Sequence, residues 1–484
     1  MNFIAVDLGS TNVKAGLFDS AMHCSDYKST EVKYCYDNSF VEFDAEQYAI
    51  QVLDLIRSLD SRDAAQIVFT GQAETLVILG KNGKPLMNAI SWMDARSAEE
   101  CDEVLGSFSL KECYEATGQQ AVLPTWPATK IMWLRKHRPE VFCNAECYML
   151  LKDYVVYCLT SRKTADKSIA TFSFYFDIFH GCYWKKMLDF IGISESQLPP
   201  LSEPCTVAGT LNENASGISG LPSTVKVNIG TLDHFAGMIG VGNVREGVVS
   251  YSTGTVMALA TIASKSVGSS CTVALHYGFI PGTLVMLPVA ESGGVCLQWY
   301  RDRFMKGVSF KDIDIELSKR HESLPNDVLF LPYIVGTNAP EFDKDAQGAF
   351  FGLRFGSDEY DLAYAVMEGV AHLLKKNCDE IERNHTRIEY IIATGGGAKS
   401  AIWCQLQASL AGVPVKVPEE KEAGCLGSAI IGAVSEGVFR SFEEASGIVR
   451  FSKTYMPEKS EKLQLKHRQF NELYRSALKI KEMN

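Results

Sequence analysis

The amino-acid sequence predicts an α/β protein of two similar domains that face each other across a cleft. The first observation is a strand–turn–strand unit at the start, Phe3 to Asp19, where two apolar runs flank Gly9-Ser10-Thr11-Asn12. The second is its echo about halfway down the chain, Val248 to Ala260, again strand, Gly/Thr turn, strand. The third is the alternation of strand and helix patterns that follows each unit. A unit repeated at the head of each half reads as duplication. The boundary falls near Asn243-Val244-Arg245-Glu246-Gly247, dividing the chain into residues 1–244 and 245–484.

Taken in order, Asp44 with Gln47 three residues on has the form of a capping box. Behind it Tyr48, Val52, Leu55, Ile56 and Leu59 share one helical face. Gln66 to Thr70 is a buried strand that runs into Gly71-Gln72-Ala73-Glu74-Thr75 and a second strand, Leu76 to Leu79. Lys81-Asn82-Gly83-Lys84 is a turn. Val225 to Ile229 is a strand that delivers Asp233 to the start of a helix of small residues. In the second half, Glu389 to Ala393 is a strand entering Thr394-Gly395-Gly396-Gly397-Ala398, and Ile402 to Leu410 is the helix that follows. Ser460 to Lys481 is amphipathic, with Leu463, Phe470, Tyr474 and Ala477 near one face, and reads as a helix packed on the outside.

Composition narrows the function. Apolar content of 46% and charged content of 22% are those of a globular protein. The formal net charge of −11 argues against duplex nucleic acid or an anionic membrane as partner. Fourteen cysteines stand singly, Cys143 and Cys147 being the closest pair. With no signal peptide at Met1-Asn2-Phe3, reduced thiols in a cytoplasm are expected. The most apolar run, Val225 to Val244, is broken by Asp233 and glycines, so no membrane span is expected.

The opening turn offers backbone N–H groups, two hydroxyls and Lys14, the groups that hold a polyphosphate. Asp7 stands where hydrated Mg²⁺ would ride on that phosphate. An ordinary hairpin with a polar tip would have the same sequence. Asp233 lies in an apolar, glycine-lined stretch, where an acid needs a partner or a task. It could be an N-cap to the helix it begins, which is compatible with a catalytic role.

The ordered motifs resemble the FGGY carbohydrate kinases, the family of glycerol kinase, xylulokinase and gluconokinase. The match is carried by Asp7 to Lys14, the segment around Asp233, Ser252 to Thr255, Phe330-Leu331-Pro332-Tyr333 and Gly348 to Leu353. Gly395-Gly396-Gly397-Ala398 and Gly424-Cys425-Leu426-Gly427-Ser428-Ala429 complete it, so the similarity runs from Met1 to about Val434. The resemblance implies two actin-like (ribonuclease H-like) ATPase domains closing on ATP and a sugar. It implies that Gly9, Ser10, Thr11, Asn12 and Lys14 line the phosphates and that Gly254 and Thr255 close over them. Gly396, Gly397 and Ala398 would form the adenosine wall, Asp7 and Asp233 would hold Mg²⁺ through water, and Asp233 would be the catalytic base. An aspartate of ordinary pKa, ~3.9, cannot strip an alcohol at rest. It accepts the proton late, in a loose transition state.

The resemblance also places the sugar loop at Gln72-Ala73-Glu74. Glycerol kinases carry Arg-Glu there and xylulokinases Met-His, whereas this chain has Ala73-Glu74. Ile90 to Arg96 fits a W-x-D-x-R pattern. Glu74 and Asp94 are candidate acceptors for sugar hydroxyls, Trp92 and Trp126 candidate flat walls, and His234 a candidate contact beside the base. Core packing explains the tryptophans equally, an Asp94–Arg96 ion pair explains that acid, and a helix-start histidine explains His234. A xylulokinase-like pentulose or ketose kinase is the expectation. Glycerol, gluconate, a hexulose or an autoinducer-type ketose are the alternative acceptors, gluconate only if Arg96 faces its carboxylate. From other classes, an actin-like ATPase or a sugar or nucleotide sensor remain, and a homodimer is admitted as a partner state.

Overall fold

In the computed structural model, residues 1–61, 63–270, 272–320, 324–384, 386–420 and 422–483 are described. Two sheets carry the architecture, and they are built to one plan. The first runs Cys24–Glu31, Asn12–Phe18, Asn2–Leu8, Ala64–Gly71, Lys226–Leu232, Val207–Thr210. The second runs Thr283–Met286, Met257–Ser264, Val248–Thr253, Tyr390–Gly395, Val415–Pro418, Phe451–Tyr455, with Leu275–Tyr277 added beyond its first strand. In both, an antiparallel meander is joined by its first strand to two parallel strands and closed by an antiparallel edge. The duplication read from two hairpins extends to the whole sheet order.

Strand Asn2–Leu8 is apolar at nearly every position because it is covered on both faces. Ile4, Val6 and Leu8 enter a core shared with helix Ala45–Arg57, while Phe3 and Ala5 enter one shared with helices Asp233–Gly240 and Ala423–Ser435. Asp44 caps the first of these helices, accepting from the N–H groups of Glu46 and Gln47. In the second half the long helix Glu359–Arg383 makes the matching crossover, and the terminal helix Glu461–Lys481 packs beside it through buried Leu463 and Phe470.

One helix breaks the simple division into halves. Ala423–Ser435 comes from the C-terminal half, yet packs on the first sheet and crosses Asp233–Gly240. The crossing is backbone against backbone. A Cβ on Gly240 would stand 2.0 Å from the Ala423 carbonyl oxygen, and one on Gly427 1.8 Å from that of Ala236. Only glycine fits either place. No helix among the described residues is long and apolar enough to cross a membrane.

Candidate active site

The first hairpin places Asp7 opposite Lys14 and beside Thr70 of the neighbouring parallel strand. Its turn is tight, since a Cβ on Gly9 would meet the Asn12 carbonyl oxygen at 2.7 Å. The turn is tied down by its carbonyls: Tyr34 donates to Ser10 and the Val32 N–H to Thr11. Lys14 pairs with Glu422 at 2.7 Å, across from the start of helix Ala423–Ser435. Asp7 is half-buried, and its Oδ1 has no hydrogen-bond partner. Burial, followed by the nearby Asp233 carboxylate, pushes its pKa up to about 7 against the pull of Lys14.

Asp233 is aimed by a defect in its strand. The pairing with Ala64–Gly71 slips between Asn228 and Thr231, and Gly230 takes φ 59° there. A Cβ on Gly230 would lie 1.6 Å from the Phe69 carbonyl oxygen, so this bulge requires glycine. A fully buried Lys152–Asp166 pair, 2.9 Å apart, supports it from behind. Asp166 accepts from the Ser168 hydroxyl at 2.8 Å, and Ser168 accepts from the Thr231 hydroxyl at 2.9 Å and the Leu232 N–H at 3.2 Å. Asp233 opens the helix as its first residue, Leu232 being the N-cap, and accepts from the His234 N–H at 2.6 Å. Burial raises its pKa, countered by His234.

Asp7, Asp233 and His234 line one cavity of about 270 Å³ with Ser252, Thr394 and Gly424. Both sheets contribute to it. The second hairpin and the glycine loop adjoin: Thr253 pairs with Gly395, and a Cβ on Gly397 would meet the Thr253 side chain at 2.9 Å. The tip carbonyls of Gly254 and Thr255 accept from the N–H groups of Gly294 and Val295 at the head of helix Gly294–Phe304. Gly254 and Thr255 are exposed, as is Gly396, with Ala398 half-buried behind it. No group of three or more His, Cys, Asp or Glu among the described residues is placed to hold a metal. A cation here would be held by the two carboxylates through water and would take further ligands from phosphate, which suits magnesium. The unpartnered Asp7 oxygen is an opening for it.

Two candidates are corrected. Asp94 is fully buried, and its two oxygens accept from Arg96 N, Nε and Nη2 and from the Val41 N–H. All four lone-pair positions are filled, so it is the ion pair and offers a sugar nothing. Arg96 is consumed with it, bonding Glu42 at 2.6 Å and lying over Phe40 and Trp133. Trp126 is 4% exposed, stacks on Phe174 and donates to the Ala121 carbonyl, so it belongs to the core. Trp92 is on the surface instead, its backbone N–H donating to the Thr75 hydroxyl at 3.1 Å. Thr75 in turn donates to buried Gln72. Ala73 packs toward the core below, and Glu74 is half-buried with φ 66°.

Sequence reasoning missed Glu422, Gly424, Ser252 and, beneath the sugar loop, Lys130. Gly424 and Ser252 lay within quoted motifs without being singled out. The others carry no local signal, because their partners are distant in the chain.

A cavity lined by two carboxylates from one sheet and by hydroxyls from the other has room and polarity for a small polar ligand. The N-terminal domain of the FGGY family of carbohydrate kinases matches residues 2–240 and its C-terminal domain residues 248–436. The chain belongs to the FGGY family of carbohydrate kinases: it is a sugar kinase, an enzyme that transfers phosphate to a hydroxyl. It is 28% identical to a xylulose kinase of Staphylococcus epidermidis over 448 residues, 91% of this chain and 89% of that protein. It is 26% identical to the gluconokinase of Bacillus subtilis over 475 residues, covering 94% and 91%. Among solved structures, the xylulose kinase of Rhodospirillum rubrum superposes with a TM-score of 0.92 at 22% identity over 99% of each chain. That likeness shows the fold, two domains of the actin-like, ribonuclease H-like kind.

Proposed function

We propose that this kinase phosphorylates a neutral ketose or polyol of five or six carbons, a pentulose such as xylulose foremost, with ATP bound between the two sheets. The reading is carried by one observation: Asp7 and Asp233 face one cavity that both halves line, and Asp7 keeps an oxygen without a partner. The turn Gly9 to Asn12 and Lys14 would hold the β- and γ-phosphates, Gly254 and Thr255 would close on them, and Gly396 to Ala398 would flank the adenosine. Asp7 and Asp233 would hold magnesium through water, and the ion would supply charge neutralisation on the phosphates. The acceptor oxygen bonds to the γ-phosphorus as the bond to the β,γ-bridging oxygen breaks. ADP leaves with that electron pair. The hydroxyl proton passes late to Asp233, whose raised proton affinity suits an acceptor.

The relatives' names divide between xylulose kinase and gluconokinase, and the charges beside the sugar loop favour the neutral substrate. Arg96 is locked to Asp94 and Glu42, and Lys130 is turned under the loop. An aldonate carboxylate would meet Glu74 and Asp233 without a counter-charge. An ADP-release screen over pentuloses, hexuloses, polyols and aldonates tests the reading. Turnover of a pentulose at least tenfold above any aldonate is expected. An aldonate as best substrate would overturn the choice of sugar. A flat response with unchanged basal hydrolysis would favour an uncoupled ATPase or a sensor.

A further inference from the structure

Lys130 lies in helix Pro127–His137, fully buried, and has no place in the chemistry just described. Its Nζ donates to two carbonyls, that of Glu74 at 3.1 Å and that of Ser91 at 2.8 Å. These carbonyls belong to the two segments that form the sugar loop and its neighbour. Glu74 sits there in the left-handed region at φ 66°, which a side-chain-bearing residue holds only when its surroundings force it. The force is visible: the ammonium draws the Glu74 carbonyl down, and the Thr75 hydroxyl ties the loop to Trp92 and Gln72. Bent this way, Glu74 shares the electrostatic field of Asp233.

We propose that Lys130 is the specificity-determining residue of the acceptor pocket, pinning Glu74 in its left-handed turn and serving as the buried counter-charge that keeps its carboxylate an acceptor for neutral hydroxyls. This rests on the proposed neutral-sugar reading and adds to it the residue that enforces such a substrate. The two charges work through each other. Burial drives the Glu74 carboxylate towards its neutral form and Lys130 opposes it, with help from a hydrogen bond to Thr125. Burial likewise lowers the Lys130 pKa, and Glu74 is the first group to oppose that. Lys130 offers a substrate carboxylate no exposed face, because it is fully buried beneath the loop with two of its three donors bonded to the Glu74 and Ser91 carbonyls. Lys130 is therefore a positioning residue, acting through Glu74.

A double-mutant cycle tests it. Lys130→Met, near in volume, and Glu74→Gln should each raise KM for the best neutral sugar tenfold or more, with KM for ATP changed less than twofold. The double variant should be no worse than the worse single one, and both variants should narrow the gap between neutral sugar and aldonate. Additive losses, or equal rises in both KM values, would overturn the role of Lys130 while leaving the kinase reading intact. If wild type turns over no neutral sugar, the reading itself fails and the specificity role with it. Should Lys130→Met not fold, Glu74→Gln decides alone, since an unchanged sugar KM there removes the residue through which Lys130 acts.

Discussion

The two hairpins share one backbone and divide the chemistry unequally. Asp7 and Lys14 face each other near the turn of the first. Their counterparts in the second, judged by position in the meander and register with the parallel neighbour, are Ser252 and Ala258. The same asymmetry extends to the strand two places along. In the first sheet it ends at a glycine bulge and Asp233, whereas in the second it ends at Pro418. A fold that uses one meander twice has gathered its acids in a single copy. The lesson concerns electrostatics: two anionic hairpins would repel a polyphosphate between them, while one charged and one neutral jaw can share a metal-bound nucleotide.

The sharpest way to break this comparison is to remove the charge. Asp233→Ala should lower kcat by roughly 10²–10⁴-fold, the usual contribution of a positioned base, with KM for ATP little changed. Near-normal turnover would show that the first sheet holds no special acid. Asp7→Asn, which leaves the first hairpin as uncharged at that position as the second, should cost on the order of a hundredfold in kcat/KM.

Stability should move the other way. Asp7 keeps its proton to about pH 7 in the folded protein, whereas its reference pKa is 3.8. Between these values the unfolded chain binds fewer protons, so the Asp7 contribution to stability falls as pH rises and levels off above about 7. Without ligand, Asp7→Asn should therefore melt above wild type from about pH 5 upward. Equal melting curves across pH 4–8 would mean that the unpartnered oxygen costs nothing.

Smaller effects sharpen the contrast. Gly427→Ala forces a methyl against the Ala236 carbonyl and should cost about 1–3 kcal/mol of stability, read as a lower melting temperature. Ser252→Ala, at the neutral counterpart of Asp7, should raise KM for ATP by only about fivefold, the worth of one hydrogen bond of ~1 kcal/mol. A loss equal to that of Asp7→Asn would make the two jaws equivalent after all.

The hairpins were legible because their strands are apolar runs broken by glycine, a pattern set by neighbours in sequence. Asp233 was legible for the same reason, at the junction of a strand and a small-residue helix. Asp94 was not, because the W-x-D-x-R spacing serves a sugar ligand or an ion pair equally. What decides between them is Glu42, 54 residues from Arg96, and the Val41 N–H. Trp126 entered the core through Phe172 and Phe174, again from a distant segment. The Lys14–Glu422 pair spans 408 residues and leaves no trace in local composition.

The meeting of Gly240 and Gly427 has a mechanical consequence. Backbone meets backbone at that point, and around it Phe235, Met238 and Ile239 share one core with Cys425, Leu426, Ala429 and Ile430. The helix from the second half is thereby built into the core of the first, so a change at either glycine is felt on both sides of the cleft.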